Sequence, residues 1–107
     1  MTFGKFKEAR DQMRQMRELK AQAEAMQKQL ATIVVEADAG HGAVKVSVNG
    51  NQKVMSVKID PKVVDQKKVE NLEGLVLKAV NEAFEKVQKA AAKQMMASGG
   101  LKGLGLG

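Results

Sequence analysis

The chain has 107 residues, with 18 Lys+Arg against 12 Asp+Glu, a net charge of +6, three Phe, no Trp or Tyr and no Cys. That length fits one small domain. The missing cysteines exclude disulfides and thiolate chemistry, and the positive balance favours an anionic partner: nucleic acid, an acidic membrane or an acidic protein. The core has to be assembled from Val, Ile, Leu, Met and Ala, with two of Phe3, Phe6 and Phe84 expected inside it.

The first element is a helix over 5–31. Its residues are Ala, Met, Gln, Glu, Lys, Arg and Leu, all good helix formers, with no Gly or Pro. Phe6, Ala9, Met13, Met16, Leu19, Ala23, Met26 and Leu30 recur at steps of three and four, close to a heptad seam. One residue later in each repeat stand Lys7, Arg10, Arg14 and Arg17. The basic stripe is displaced from the apolar one by ~100° around the helix.

The period then falls to two. Strands are expected over 32–37, 43–48 and 53–59. Val44, Val46 and Val48 share one face of the second strand, and Met55, Val57 and Ile59 one face of the third. Gly40-His41-Gly42 and Asn49-Gly50-Asn51 read as the two turns, the latter because Asn and Gly tolerate positive φ. The result is a three-stranded antiparallel meander. Asp60-Pro61 ends it with a helical turn expected over 61–64, capped by Asp60. A second long helix is expected over 66–97, with Asp65 as an N-cap candidate and Gly74 as an interior weak point. Residues 99–107 are expected to be a mobile Gly-rich tail.

Helices of ~40 and ~45 Å overshoot a sheet whose strands are ~20 Å long. Their apolar faces need a second copy, so a homodimer with projecting helices is expected. The charge lies in those helices. Residues 1–31 and 66–107 each carry seven Lys/Arg and four Asp/Glu, whereas residues 32–65 carry four of each. Arg10 and Arg14 are like charges four residues apart, a local strain that an external anion would relieve; Lys7 with Asp11 and Arg14 with Glu18 offset part of it. Lys86, Lys89 and Lys93 repeat the spacing on the second helix. Charged helix faces are most often simply solvated, but the arginines, the net charge and the neutral sheet favour anion binding.

No catalytic constellation is present. His41 is the single histidine and stands between glycines in a turn, and neither phosphate-binding glycine motif occurs. No cofactor, metal or small-molecule substrate is expected. The amino terminus lacks a signal-peptide pattern, and no run approaches the ~18 apolar residues of a membrane span, so a soluble cytosolic protein is expected. With few aromatic rings for stacking bases, contacts of Lys and Arg with duplex phosphates are the practical mode of nucleic-acid binding.

The stretches AEAMQKQL (23–30), AVKVSVNGNQKVMSVKIDP (43–61) and ENLEGLVLKAVNEA (70–83) resemble the YbaB/EbfC family of bacterial nucleoid-associated proteins. Leu72, Glu73, Leu75, Ala79, Asn81 and Ala83 fit the family's helix pattern. The resemblance covers nearly the whole chain. It implies an α+β protomer of helix, three strands and helix, a tweezer-like homodimer, binding of double-stranded DNA with little sequence preference, and a nucleoid location with a role in gene regulation. Gly74, where the family often has an acidic residue, and the arginine-rich start, where relatives favour Met, Gln and Lys, depart from the pattern. On the charge reading Lys5, Lys7, Arg10, Arg14, Arg17 and Lys20 are the expected DNA contacts, with Lys86, Lys89 and Lys93 secondary. Service as a protein-interaction subunit of a DNA repair or recombination machine is the rival reading; binding to acidic lipid is disfavoured by the Gln-rich flanks and the lack of Trp.

Overall fold

The structure, a computed structural model, describes residues 2–97. The expected tail at 99–107 lies outside them. Helix α1 (Thr2–Ala31) leads into strands β1 (Val34–Ala39), β2 (Val44–Asn49) and β3 (Val54–Ile59), a 3-10 turn (Pro61–Val63) and helix α2 (Val69–Ala97). The architecture is α+β, and the antiparallel sheet has the order β1-β2-β3.

Local chemistry explains where the boundaries differ from those read in the sequence. The first strand starts at Val34 rather than residue 32, because the backbone N–H and Oγ1 of Thr32 both donate to the Gln29 carbonyl and Ile33 N–H donates to that of Leu30. These bonds extend the last turn of α1 by two residues. The second helix starts at Val69 rather than at residue 66. Asp65 Oδ1 accepts from Lys67 N–H at 2.9 Å and the Asp65 carbonyl accepts from Lys68 N–H, which closes a separate turn ahead of the helix. Asp60 caps the 3-10 turn as expected, its Oδ1 accepting from Lys62 N–H at 3.0 Å.

The register sets Val35, Ala37 and Ala39 opposite Val48, Val46 and Val44. Ala37, Ala39 and the three β2 valines are buried beneath Ala79, Ala83 and Val87 of α2. Small residues on both sides let helix and sheet approach closely. The largest fully buried side chains are valines, so the core is thin. Phe84 packs against it and Phe6 is 64% exposed on α1, so of the two phenylalanines expected in the core Phe84 is found there and Phe6 is not, while the side chain of Phe3 lies outside what the structure describes. A single sheet covered by one helix has no interior in which α1 could bury a ring.

The third strand departs from a simple meander. Val57 and Ile59 face the same way as their partners Val46 and Val44, yet they are 46% and 40% exposed. The reason is that α2 packs over β1 and β2 and stops short of β3. A bulge between Ser47 and Val48 pairs Val48 with Val54 and leaves Met55 without a partner in the ladder. The β2–β3 turn also differs from expectation, since its positive φ (62°) belongs to Gln52 rather than to Asn49, Gly50 or Asn51.

The radius of gyration is 21.5 Å and the extents are 77 × 31 × 17 Å. A compact chain of this length would have a radius of ~13 Å. The difference comes from α1, whose residues 4–29 are all exposed; only Leu30 in its last turn is half-buried against the core.

Candidate nucleic-acid interface

Helix α1 supplies the first basic cluster. Arg10, Met13, Arg14 and Arg17 surround one shallow cavity of about 240 Å3 on the helix surface. The lining combines one apolar side chain with three that carry a guanidinium group. Among the described residues no ion pair ties these arginines to Glu8, Asp11 or Glu18, although Glu18 stands four residues after Arg14. The exposed positions of Lys5, Lys7 and Lys20 continue the basic surface along the same helix. Guanidinium donors in a row with free solvent access can engage successive phosphates, each by paired hydrogen bonds.

The second cluster stands on α2. That helix runs antiparallel to β1: Leu75 lies over Gly40 at one end, and Lys86 reaches the Glu36 carbonyl farther along. Lys86, Lys89 and Lys93, with Ala90 and Ala92, line a cavity of about 460 Å3. Lys89 and Lys93 are exposed, whereas Lys86 donates from Nζ to the Glu36 carbonyl at 3.3 Å and is partly committed to the protein's own backbone. The two basic clusters line different cavities, so the structure does not merge all nine expected residues into one patch.

A third surface is apolar, and the sequence reading did not identify it. Ile59, Val69, Leu72, Glu73, Val76, Leu77 and Val80 enclose a groove of about 500 Å3 between the exposed β3 edge and the first half of α2. Leu77 is 64% exposed there. The signal in the sequence was the continuous apolar face of Met55, Val57 and Ile59, which one helix already occupied with β1 and β2 could not cover. No group of acidic or histidine side chains that could hold a metal ion occurs among the described residues, and no helix among them is long and apolar enough to cross a membrane.

Comparison with known proteins places this arrangement. A model of the YbaB/EbfC DNA-binding family matches residues 6–101. A nucleoid-associated protein of Chloroflexus aurantiacus is 42% identical over 96 residues, covering 89% of this chain and 96% of that one. A nucleoid-associated protein of Anaeromyxobacter dehalogenans is 48% identical over 92 residues, covering 84% and 88%. An uncharacterised protein of Helicobacter pylori, solved by crystallography, shares the fold at a TM-score of 0.58 with 17% identity, over 76% of this chain and 94% of that one. The family is one of DNA-binding proteins rather than enzymes, and with the helix, meander and helix spanning the same residues, this chain belongs to the YbaB/EbfC DNA-binding family.

Proposed function

We propose that this protein binds double-stranded DNA with little sequence preference, as a homodimer, and contributes to chromosome organisation and gene regulation in the nucleoid of the cytoplasm. The observation that carries the reading is the solvent-exposed α1 arm, on which Arg10, Arg14 and Arg17 line one cavity with no carboxylate partner among the described residues. Lys5, Lys7 and Lys20 extend the contact along the arm, and Lys86, Lys89 and Lys93 form a secondary site. Contacts of this kind neutralise phosphates, which positions a protein on the duplex without reading its bases.

The homodimer is supported by the apolar groove and the β3 edge. An edge strand with unpaired backbone groups and apolar side chains, beside a groove lined by Leu72, Val76 and Leu77, is a surface that water disfavours. A second copy presents the same surface and can cover it symmetrically.

A salt titration of binding to two unrelated duplexes tests the proposal. A dimer making ~8 phosphate contacts gives a log K against log salt slope of about −7, the same for both duplexes. Changing Arg10, Arg14 and Arg17 together to Ala should flatten the slope and leave the dimer intact. An unchanged slope in that variant would rule out α1 as the contact surface. A pull-down partner retained at high salt, with unremarkable DNA affinity, would favour the protein-interaction reading instead.

A further inference from the structure

A helix that ends without a C-terminal glycine leaves its last carbonyl oxygens in need of donors. Helix α1 ends at Ala31; Thr32 and Ile33 donate locally to the Gln29 and Leu30 carbonyls, and further donors come from elsewhere in the chain. Gly50, in the β2–β3 turn, donates its backbone N–H to both the Leu30 carbonyl at 3.0 Å and the Ile33 carbonyl at 2.9 Å. One residue on, Asn51 donates from Nδ2 to the Gln27 carbonyl at 3.0 Å. The turn therefore grips α1 at two levels of its last helical turn.

The grip is held from below. Buried Asn49 accepts at Oδ1 from Asn51 N–H at 2.9 Å and from Lys53 N–H at 3.2 Å, and its Nδ2 donates to Met55 Sδ at 3.5 Å. The glycine is required by proximity rather than by backbone torsion. A Cβ at residue 50 would stand 2.5 Å from the Leu30 carbonyl oxygen and 3.1 Å from Leu30 Cβ.

Helix α1 packs extensively on no other element, so this joint and the half-buried Leu30 are its attachment within the chain. Leverage makes the joint consequential. Arg10 lies ~30 Å along the helix from Leu30, so a tilt of ~10° at the joint moves its guanidinium by ~5 Å. A shift of that size carries a donor out of the ~2.7–2.9 Å reach of a charge-assisted hydrogen bond to a phosphate oxygen. We propose that Gly50 and Asn51 are positioning residues for DNA binding: they clamp the carboxyl end of α1 to the sheet and hold the arginine row at a fixed angle to the rest of the dimer. The DNA part of this inference rests on the function proposed above; the clamp itself does not.

The test uses Asn51→Asp, which keeps the shape but cannot donate, and Gly50→Ala, which forces the carbonyl away. The chain has no cysteine, so nitroxides can be placed cleanly at Gln15→Cys on α1 and Lys58→Cys on β3. Labelled chains are diluted with unlabelled ones so that each dimer carries one labelled pair. Pulsed electron-electron resonance is expected to give a narrow distance distribution in the parent, a broadened one in Asn51→Asp and a shifted one in Gly50→Ala. Asn51→Asp should weaken duplex binding by about 10-fold, because the arm must be ordered on binding. Its salt slope should stay unchanged, because no phosphate contact has been removed. Parent-like distance distributions in both variants would overturn the clamp. Altered distances with parent-like affinity would overturn the positioning role. If the triple arginine variant binds like the parent, the DNA reading itself fails and the positioning role with it, while the distances still report on the clamp.

Discussion

Lys86 of α2 and Glu36 of β1 are fifty positions apart in the chain, yet the ammonium of one donates to the backbone carbonyl of the other at 3.3 Å. The bond holds a charged side chain against β1, an edge strand of the sheet. Charge on an edge strand discourages another strand from pairing there. The opposite edge, β3, carries Val54, Met55, Val57 and Ile59 and is left open. The sheet thus has one guarded edge and one available edge.

This difference separates the three lysines of the second cluster. Lys89→Ala and Lys93→Ala should each reduce the magnitude of the salt slope by ~2, one contact per protomer in the dimer. Lys86→Ala should change it by less, because its ammonium is already engaged. All three sit on the surface and should stay within ~0.5 kcal/mol of the parent in urea unfolding, which checks that the slopes report contacts rather than folding.

Leu77→Glu is expected to break the dimer without unfolding the protomer. Its side chain is largely exposed in the isolated chain and lines the apolar groove. A charge there has water around it in the monomer but would be buried unpaired in a dimer that covers the groove. Sedimentation equilibrium should give the mass of one chain for the variant and of two for the parent, with helix content by circular dichroism preserved.

Gly74→Ala should stabilise the protein by about 0.5–1 kcal/mol, because alanine lowers the entropy of the unfolded chain and favours helix. Residue 74 lies inside α2, and an added Cβ meets nothing within 4 Å. The midpoint of urea unfolding, at unchanged m-value, is the measurement.

Ala83→Leu should act in the opposite direction. Ala83 is fully buried where α2 meets β1 and β2. Three extra carbon atoms must push the helix off the sheet, a change that costs about 1–3 kcal/mol. A variant as stable as the parent in urea would show that the helix–sheet contact is looser than the structure describes.

Much of the fold was legible in the sequence because its cause is local. The alternation of Val44, Val46 and Val48 predicted a buried face, and all three are buried. Asp60-Pro61 predicted a capped turn, and the cap is formed. The turn at Asn49-Gly50-Asn51 was legible as a turn but not for its reason. Positive φ falls on Gln52, and Gly50 is needed because the end of another element passes against it. That contact joins residues twenty positions apart, and no local pattern announces it.

The basic stripe of α1 could be read from spacing alone, since 3.6 residues per turn fixes which side chains share a helix face. Spacing also implied the local ion pairs Lys7 with Asp11 and Arg14 with Glu18, but among the described residues they are not formed. On a freely solvated helix such pairs gain little over water.

Hydrophobic period, charge placement and turn residues were enough to specify two helices, a meander and a row of arginines, because each depends on neighbours within a turn or a strand. Tertiary packing alone decided that α2 covers β1 and β2 but leaves β3 bare, that Lys86 guards one sheet edge, and that the β2–β3 turn seizes the end of α1. Those outcomes depend on which surfaces meet across the fold, and a helix wide enough for two strands cannot also cover a third.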